Sequence, residues 1–485
     1  MNTFIKKINK QTEKVTSLFF DTLCGIKPII KVSLICMNFI LGNELNIFSQ
    51  ELWSWGSNLV FDAVGDGTYT NRYSPVQIGS TWDWKEISGG MNYCISIKND
   101  GSLWSWGRND YGQLGDGTTT NRPTPAKVGL DNNWESVKCR WVFNVGLKTD
   151  STLWGWGANE VSQIGDNTTV NKLTPVQIGT DKDWVEYSCG FQFVTAIKKD
   201  GTLWAWGDNS YGQLGDGTKN NSSIPKKIGS ENKWIKVACG NYHTIAMKND
   251  SSIWAWGENY DGRLGDGTQT LRTSPVQIGT AKDWAIIACG DSYSMAIKND
   301  GSLWTWGNNS MGQLGNCTQS IRKSPEKVGA SLDWTQVAGG NTHTLAIKTD
   351  GTLWAWGSNE VGKLGIGIPS ITYNTCPMQV GTYRTWKKIS CGSANSYGLK
   401  INEIVAGTSI SDKSSQNWVY DPDQKIIRFV DVPKNTRISI FNVSGKLLCV
   451  REIEDFISVS YLQKGIYLIY EINNQNNKSG KFIIY

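Results

Sequence analysis

The stretch GTLWAWGDNSYGQLGDGT (201–218) sets two tryptophans one residue apart ahead of a glycine-rich loop, and the chain repeats the arrangement along most of its length. LWSWG begins at Leu52 and Leu103, LWGWG at Leu153, LWAWG at Leu203, IWAWG at Ile253, LWTWG at Leu303 and LWAWG at Leu353. These are seven copies, 51 residues apart once and 50 thereafter. A second marker keeps step at Trp84, Trp134, Trp184, Trp234, Trp284, Trp334 and Trp386. Together the two markers take 21 of the 24 tryptophans, so the aromatic richness belongs to the repeat and not to an active site. A period of this length is an architectural signal and decides the fold.

One unit reads as four short strands: WIKVACG (234–240), HTIAMKND (243–250), SIWAWG (252–257) and IPKKIG (224–229). Each is alternating or β-branched and is bounded by glycine, asparagine or aspartate. NDG, KDG or TDG between the second and third strands predicts a hairpin with both turn positions at positive φ, hence antiparallel neighbours. Side chains two apart share a face, so Trp204 and Trp206, like Trp254 and Trp256, point one way. The residue between them is small or modest in every copy: Ser54, Ser105, Gly155, Ala205, Ala255, Thr305 and Ala355. A sheet that is bulky on one face and small on the other can stack on a copy of itself. A single four-stranded sheet cannot bury both faces, so the units must pack on one another. Each tryptophan buried this way contributes roughly 2–3 kcal/mol.

These properties predict an all-β chain, a seven-bladed β-propeller of four-stranded blades. The repeat enters at a third strand (LWSWG, 52–56) and leaves after a second (KKISCG, 387–392, then SYGLKI, 396–401). Six continuous blades and one shared between the two ends make seven, and the shared blade closes the ring.

GNYHTIAMKNDSSIWAWGENYDGRLGDGT (240–268) and GNTHTLAIKTDGTLWAWGSNEVGKLG (340–365) resemble the repeat of the regulator of chromosome condensation family. The resemblance covers about residues 50–402 and implies a seven-bladed propeller.

The two ends differ from the repeat. Six lysines precede the apolar run VSLICMNFIL (32–41), so residues 1–49 are expected to be a secretory signal cleaved after Ser49, with a misassigned start codon or an uncleaved anchor as the alternatives. The run is too short to span a bilayer, and no transmembrane span is expected in the mature chain. Residues 403–485 read as short strands of a small β-sandwich. Within them NVSGKLL (442–448), LQKGIYLIYEI (462–472) and GKFII (480–484) resemble the C-terminal sorting domain of type IX secretion substrates in the Bacteroidetes. Where that family carries Y-P-N-P, this chain has VYDPDQ (419–424). The resemblance implies passage through the type IX machinery to the outer surface or beyond.

Composition and motifs argue against catalysis. A formal charge of +5 without a lysine or arginine run gives nothing to grip phosphates, so nucleic acid is not an expected partner. Cys139, Cys189, Cys239, Cys289 and Cys391 each follow the second marker by five residues, with Gly89 and Gly339 in the same slot. A place that takes only cysteine or glycine is tight and buried, which argues against both disulfides and a metal site. The only histidines, His243 and His343, share one repeat position with Tyr93, Phe143, Phe193, Tyr293 and Asn395, which suggests packing. Aspartates of the GDGT loops and asparagines such as Asn209 read as turn formers, too sparse for calcium. No catalytic residue, metal or cofactor is expected.

Function should lie where the copies differ. Adjacent strands are antiparallel, so the first-to-second turn and the long third-to-fourth loop emerge on one face. There Met91, Trp141, Phe191 and Tyr242 are expected around the axis with Asp291 beside them, and Arg108, Asp208 and Glu258 are expected to add charge. Exposed aromatics on a rigid bowl suit a protein hot spot or sugar stacking. The first expectation is an exported, monomeric binding protein with an extracellular protein partner. Bacterial members of the resembled family include secreted inhibitors of β-lactamase. The second is a carbohydrate-binding module, which aromatics placed singly in successive blades would favour. Guanine-nucleotide exchange on a small GTPase, the family's eukaryotic activity, ranks last, because the uniform spacing leaves no inserted wedge.

Overall fold

Alternation along the second strand explains why this chain stacks sheets. In Phe193–Lys198 all six residues are buried, Phe193 and Ile197 toward one neighbouring sheet, Val194 and Ala196 toward the other. The computed structural model describes residues 50–401 other than Trp82, together with the backbone of strands between residues 418 and 484. The expected signal segment, residues 1–49, lies outside the described residues.

Seven four-stranded antiparallel sheets make up the propeller. Blade 1 begins at Trp84, and blades 2 to 7 begin at Trp134, Trp184, Trp234, Trp284, Trp334 and Trp386. The first strands of neighbouring blades touch around the axis, while the fourth strands are the most exposed. Closure is as the sequence predicts. Gln50–Gly56 pairs along its whole length with Asn395–Ile401, Leu52 opposite Leu399, and Arg72–Gln77 completes blade 7.

Two expectations need correction. The IPKKIG segment lies in the strand Ser222–Lys227, which pairs with Leu203–Gly207 of the preceding blade, so a fourth strand directly follows its third. In the second-to-third turn only the last residue has positive φ, Gly201 at +80°, with Ser151 and Ser251 adopting the same conformation where glycine is missing. The reason lies in the aspartate: Asp200 Oδ1 accepts the N–H and hydroxyl of Thr202, which closes a three-residue loop and not a two-residue one.

Large packs against small between blades. Trp206 is fully buried and its indole N–H donates to Gln163 O of the blade before it. The ring lies against Gly165, where a Cβ would stand 2.5 Å from the indole nitrogen. Trp256 makes the same bond to Gln213 O at 2.9 Å. The first tryptophan of each pair is only half-buried. It is capped by a lysine at the end of the second strand, which the sequence reading did not single out. Lys148 Nζ lies 3.7 Å from the Trp154 ring centre, Lys198 4.7 Å from Trp204 and Lys248 3.6 Å from Trp254, each lysine also ion-paired to an acid. The ammonium rests on the π face while its stem covers apolar surface. The signal was there to read: Lys98, Lys148, Lys198, Lys248, Lys298, Lys348 and Lys400 recur in register.

The cysteine ring is buried, and its thiols point at the previous blade. Cys239 Sγ lies 3.5 Å from Ser188 O and Cys289 Sγ 3.5 Å from Ala238 O. At Gly339 an added Cβ would fall within 2.7 Å of Gly290, which accounts for the glycine there. Two other cysteines do pair, against expectation: Cys317 and Cys376 form a disulfide joining a loop of blade 5 to the outer strand of blade 6.

Asn209 organises the long loop. Its Oδ1 accepts Leu214 N, its Nδ2 donates to Asp216 Oδ1 and Asn220 O, and its own N–H is met by Asn221 Oδ1. Asp216 in turn accepts the N–H and hydroxyl of Thr218.

Among the described residues the C-terminal unit holds two antiparallel sheets. One has three strands, Trp418–Asp421, Ile426–Phe429 and Phe456–Ser458. The other has four, ordered Leu447–Glu452, Arg437–Asn442, Gly465–Ile472 and Lys478–Ile484.

Candidate functional site

The turn between the first and second strands starts with glycine in six blades: in five the side chain of the second strand's first residue lies across it, and at Gly392 the carbonyl of Gly90 does. At Gly190 an added Cβ would meet Phe193 at 1.9 Å. Blade 2 alone has Arg140 there, and Trp141 follows at φ +52°. Neighbouring turns are stitched by backbone bonds, Met91 N to Trp141 O at 2.7 Å, Phe191 N to Asn241 O at 3.2 Å and Asn241 N to Asp291 O at 2.9 Å. Backbone bonds therefore link the turns of blades 1 and 2, and those of blades 3 to 5, to one another.

On this face the structure brings three of the expected residues into contact. Trp141 and Phe191 have ring centres 4.6 Å apart, and Phe191 and Tyr242 5.3 Å apart. The row continues through two rings that the sequence reading missed: Tyr211, 4.8 Å from Tyr242, and Tyr260, 6.5 Å from Tyr211. Both come from long loops, so turns and loops do share a face. Five rings thus form one arc over blades 2 to 4, half-buried except for Tyr260, which is 61% exposed.

Met91 and Asp291 lie elsewhere on the same surface. Met91 Sδ is 3.6 Å from the Arg108 guanidinium, which also sits over the Phe61 ring and pairs with Asp110. Asp291 accepts from Arg140 Nη2 at 2.7 Å beside a shallow axial depression lined by Met91, Trp141 and Asn241. Asp208 and Glu258 were expected to lend charge to the surface but are buried. Asp208 accepts from Gln213 Nε2 and Ser210, and Glu258 is paired with Arg263, so both stabilise their own loops. Arg140, the strongest missed residue, had a signal: arginine where every other copy has glycine.

Electrostatics follow from this packing. Burial, then Tyr211 and the carboxylates Asp208, Glu258 and Asp291, raise the Tyr242 hydroxyl above its ordinary range. Burial raises the Glu258 carboxyl against the pull of Arg263. The histidines lie far from solvent. His243 Nε2 is 2.9 Å from Ser294 Oγ and His343 Nε2 2.9 Å from Ser396 Oγ, all four fully buried. These serine–histidine contacts tie adjacent blades where no substrate can reach. Among the described residues no three His, Cys, Asp or Glu side chains converge as a metal site.

The ring of seven four-stranded sheets is a seven-bladed β-propeller. The chain belongs to the RCC1 repeat family. It matches the Regulator of chromosome condensation (RCC1) repeat over residues 100–144, 150–197, 200–247, 250–297, 300–347 and 350–399. Residues 421–485 match the Secretion system C-terminal sorting domain, which directs the chain through type IX secretion to the cell surface or the extracellular space. No helix among the described residues is long and apolar enough to cross a membrane. A stretch of 64 residues is 36% identical to the X-linked retinitis pigmentosa GTPase regulator homolog of Caenorhabditis elegans, covering 13% of this chain and 4% of that protein. Human WBSCR16 superposes with TM-score 0.66 at 20% identity, over 73% of this chain and all of that one. Yeast RCC1 (Prp20), in its structure with Kap60, gives TM-score 0.68 at 19% identity over 75% and 91%. At these identities the solved structures speak for the fold. RCC1-like propellers are in general interaction or exchange-factor domains.

Proposed function

We propose that the chain is an exported, non-catalytic binding protein that holds a protein partner on the turn-and-loop face of its propeller. The observation that carries this is the continuity of the Trp141–Phe191–Tyr242–Tyr211–Tyr260 arc. Repeated sugar sites would place one ring in each blade. A single contiguous cluster over three blades instead has the form of an interface hot spot, where large rigid side chains exclude water at little entropic cost. The backbone bonds between turns support this, because a pre-organised surface orders little on binding.

The test is affinity capture from surface proteins and surface polysaccharides, using the purified chain beside a Trp141→Ala/Phe191→Ala variant. The expected result is a retained protein whose affinity falls at least about 30-fold in the variant. Retention of polysaccharide alone would replace this reading with a carbohydrate-binding one. Equal capture by both forms would move the site off this face.

A further inference from the structure

Blade 7 is closed by the two ends of the repeat and not by a turn. In the other six blades a turn aspartate holds a serine or threonine hydroxyl, which in turn takes the indole N–H of the third strand's first tryptophan. Asp100, Ser102 and Trp104 do this in blade 1, and Asp250, Ser252 and Trp254 in blade 4. The residue ahead of the tryptophan pair's leucine or isoleucine is accordingly Ser102, Thr152, Thr202, Ser252, Ser302 or Thr352, but in blade 7 it is Glu51.

The lysine ladder changes at the same place. In six blades the lysine pairs with a half-exposed acid just ahead of its own blade's marker tryptophan, as Lys98 does with Asp83 and Lys298 with Asp283. Blade 7 has no acid there: residues 381–385 read GTYRT. Its lysine, Lys400, pairs with Glu51 instead, Nζ 3.3 Å from Oε2, and both side chains are only 6% exposed. Glu51 Oε2 also accepts the Trp53 indole N–H at 3.0 Å, and the Lys400 ammonium lies 3.7 Å from the Tyr383 ring centre. One carboxylate from the opposite end of the repeat thus replaces both the turn hydroxyl and the loop acid.

The replacement matters because a turn sets register. Gln50–Gly56 and Asn395–Ile401 have no turn between them, and bringing distant chain ends together costs more entropy than closing a hairpin. A slip of one residue would send every side chain to the wrong face, so alternation forbids it. A slip of two keeps each face, and alternation is blind to it. Such a slip would part Glu51 from Lys400 and leave two buried charges without partners, which is strongly unfavourable.

We propose that Glu51 and Lys400 form a clamp that sets the register of the closing blade and holds the ends of the ring together, so that the propeller opens first at blade 7 when this pair is broken.

Amide hydrogen exchange of the full chain, read by mass spectrometry, tests this. Glu51→Gln keeps an acceptor for Trp53 but removes the charge. It should speed exchange in Gln50–Gly56 and Asn395–Ile401 at least about tenfold, with Phe193–Lys198 and His243–Lys248 of blades 3 and 4 unchanged. Asp83→Asn breaks the corresponding pair beside a covalent hairpin. It should leave Tyr93–Lys98 and Leu103–Gly107 within about twofold of the native rate. No acceleration at the seam, equal acceleration in every blade, or an equal local effect of Asp83→Asn would each overturn the proposal. A cross-link covers the case in which Glu51→Gln does not fold. Gln50 and Ile401 are directly opposite, so Gln50→Cys/Ile401→Cys can be oxidised across the seam. In that cross-linked protein Glu51→Gln should fold and leave seam exchange unchanged. Faster seam exchange there, or continued failure to fold, would show that the pair does not act through closure and would sink the clamp.

Discussion

Arg140 of blade 2 and Asp291 of blade 5 meet across the propeller axis, 151 residues apart in sequence, with Nη2 donating to Oδ1 at 2.7 Å. Their side chains are 15% and 13% exposed, so the pair is largely removed from water. Breaking it by Asp291→Ala should strand a guanidinium and destabilise the propeller by about 2–4 kcal/mol. Replacing both, Arg140→Met with Asp291→Leu, should restore much of the loss, because no charge is then left buried. Urea midpoints at constant slope measure this. An unchanged midpoint for Asp291→Ala would mean that solvent already screens the pair.

The Cys317–Cys376 bridge, with Cα atoms 4.5 Å apart, ties blade 5 to blade 6 in a chain carrying a secretion sorting domain. Closing a loop of this length typically contributes about 2–4 kcal/mol by restricting the unfolded chain. Dithiothreitol should therefore lower the melting temperature of the native protein. Cys317→Ser/Cys376→Ser should melt at the lowered temperature whether or not reductant is present. Insensitivity of the native protein to reductant would refute a stabilising role.

Buried histidines make the ring sensitive to mild acid. Burial first, then Arg263 and Arg140, hold His243 well below its ordinary range; burial and Lys363 do the same for His343. Both are neutral in the fold, so the unfolded chain binds the extra protons. Their contribution is complete above an open-chain value of about 6.5 and is lost as pH falls from there toward the lower folded value. Thermal melts should show stability declining between about pH 7 and pH 5. His243→Phe/His343→Phe should flatten that decline, since Phe143 and Phe193 already fill this slot in other blades, and Ser294 and Ser396 keep their bonds to Arg263 O and Lys363 O. An equal decline in the double variant would assign it to carboxylates.

The cysteine ring and Cys94 of a second strand should be chemically silent. Burial pushes the Cys139 and Cys391 thiols up to about 12, and Cys94, Cys189, Cys239 and Cys289 are raised by burial as well. With almost no thiolate and no access, these six should resist iodoacetamide in the native protein and react once it is denatured. Peptide mapping by mass spectrometry reads this site by site. Prompt labelling of Cys239 in the native state would contradict the burial.

Blade number, ring closure and the cysteine ring's burial were legible in the sequence because each is a local pattern repeated in register. Seven copies of one alternation leave one way to bury both faces of every sheet. The same regularity hid the lysine ladder, whose residues looked like ordinary hairpin ends until the sheet brought each ammonium over two aromatic rings, two indoles in six blades and Trp53 with Tyr383 in the seventh. It also hid Cys317 and Cys376, which stand where other blades have Gly217 and Ser274 and are adjacent only once two blades stack.

The face of the propeller was less legible. The sequence located Trp141, Phe191 and Tyr242 on one surface, since antiparallel strands send alternate connections to the same side. It did not separate Asp208 and Glu258, turned into their own loops, from residues that face solvent. A loop carboxylate can bond inward or point outward at little difference in local conformation, and only the neighbouring donors, Gln213 and Arg263, decide between them. Tyr211 and Tyr260 joined the arc for the same reason. Repetition by itself determined the sheets, because alternation and period act along the chain. Tertiary structure alone decided which loop side chains meet, because those contacts run between blades, where no local rule relates one residue to the next.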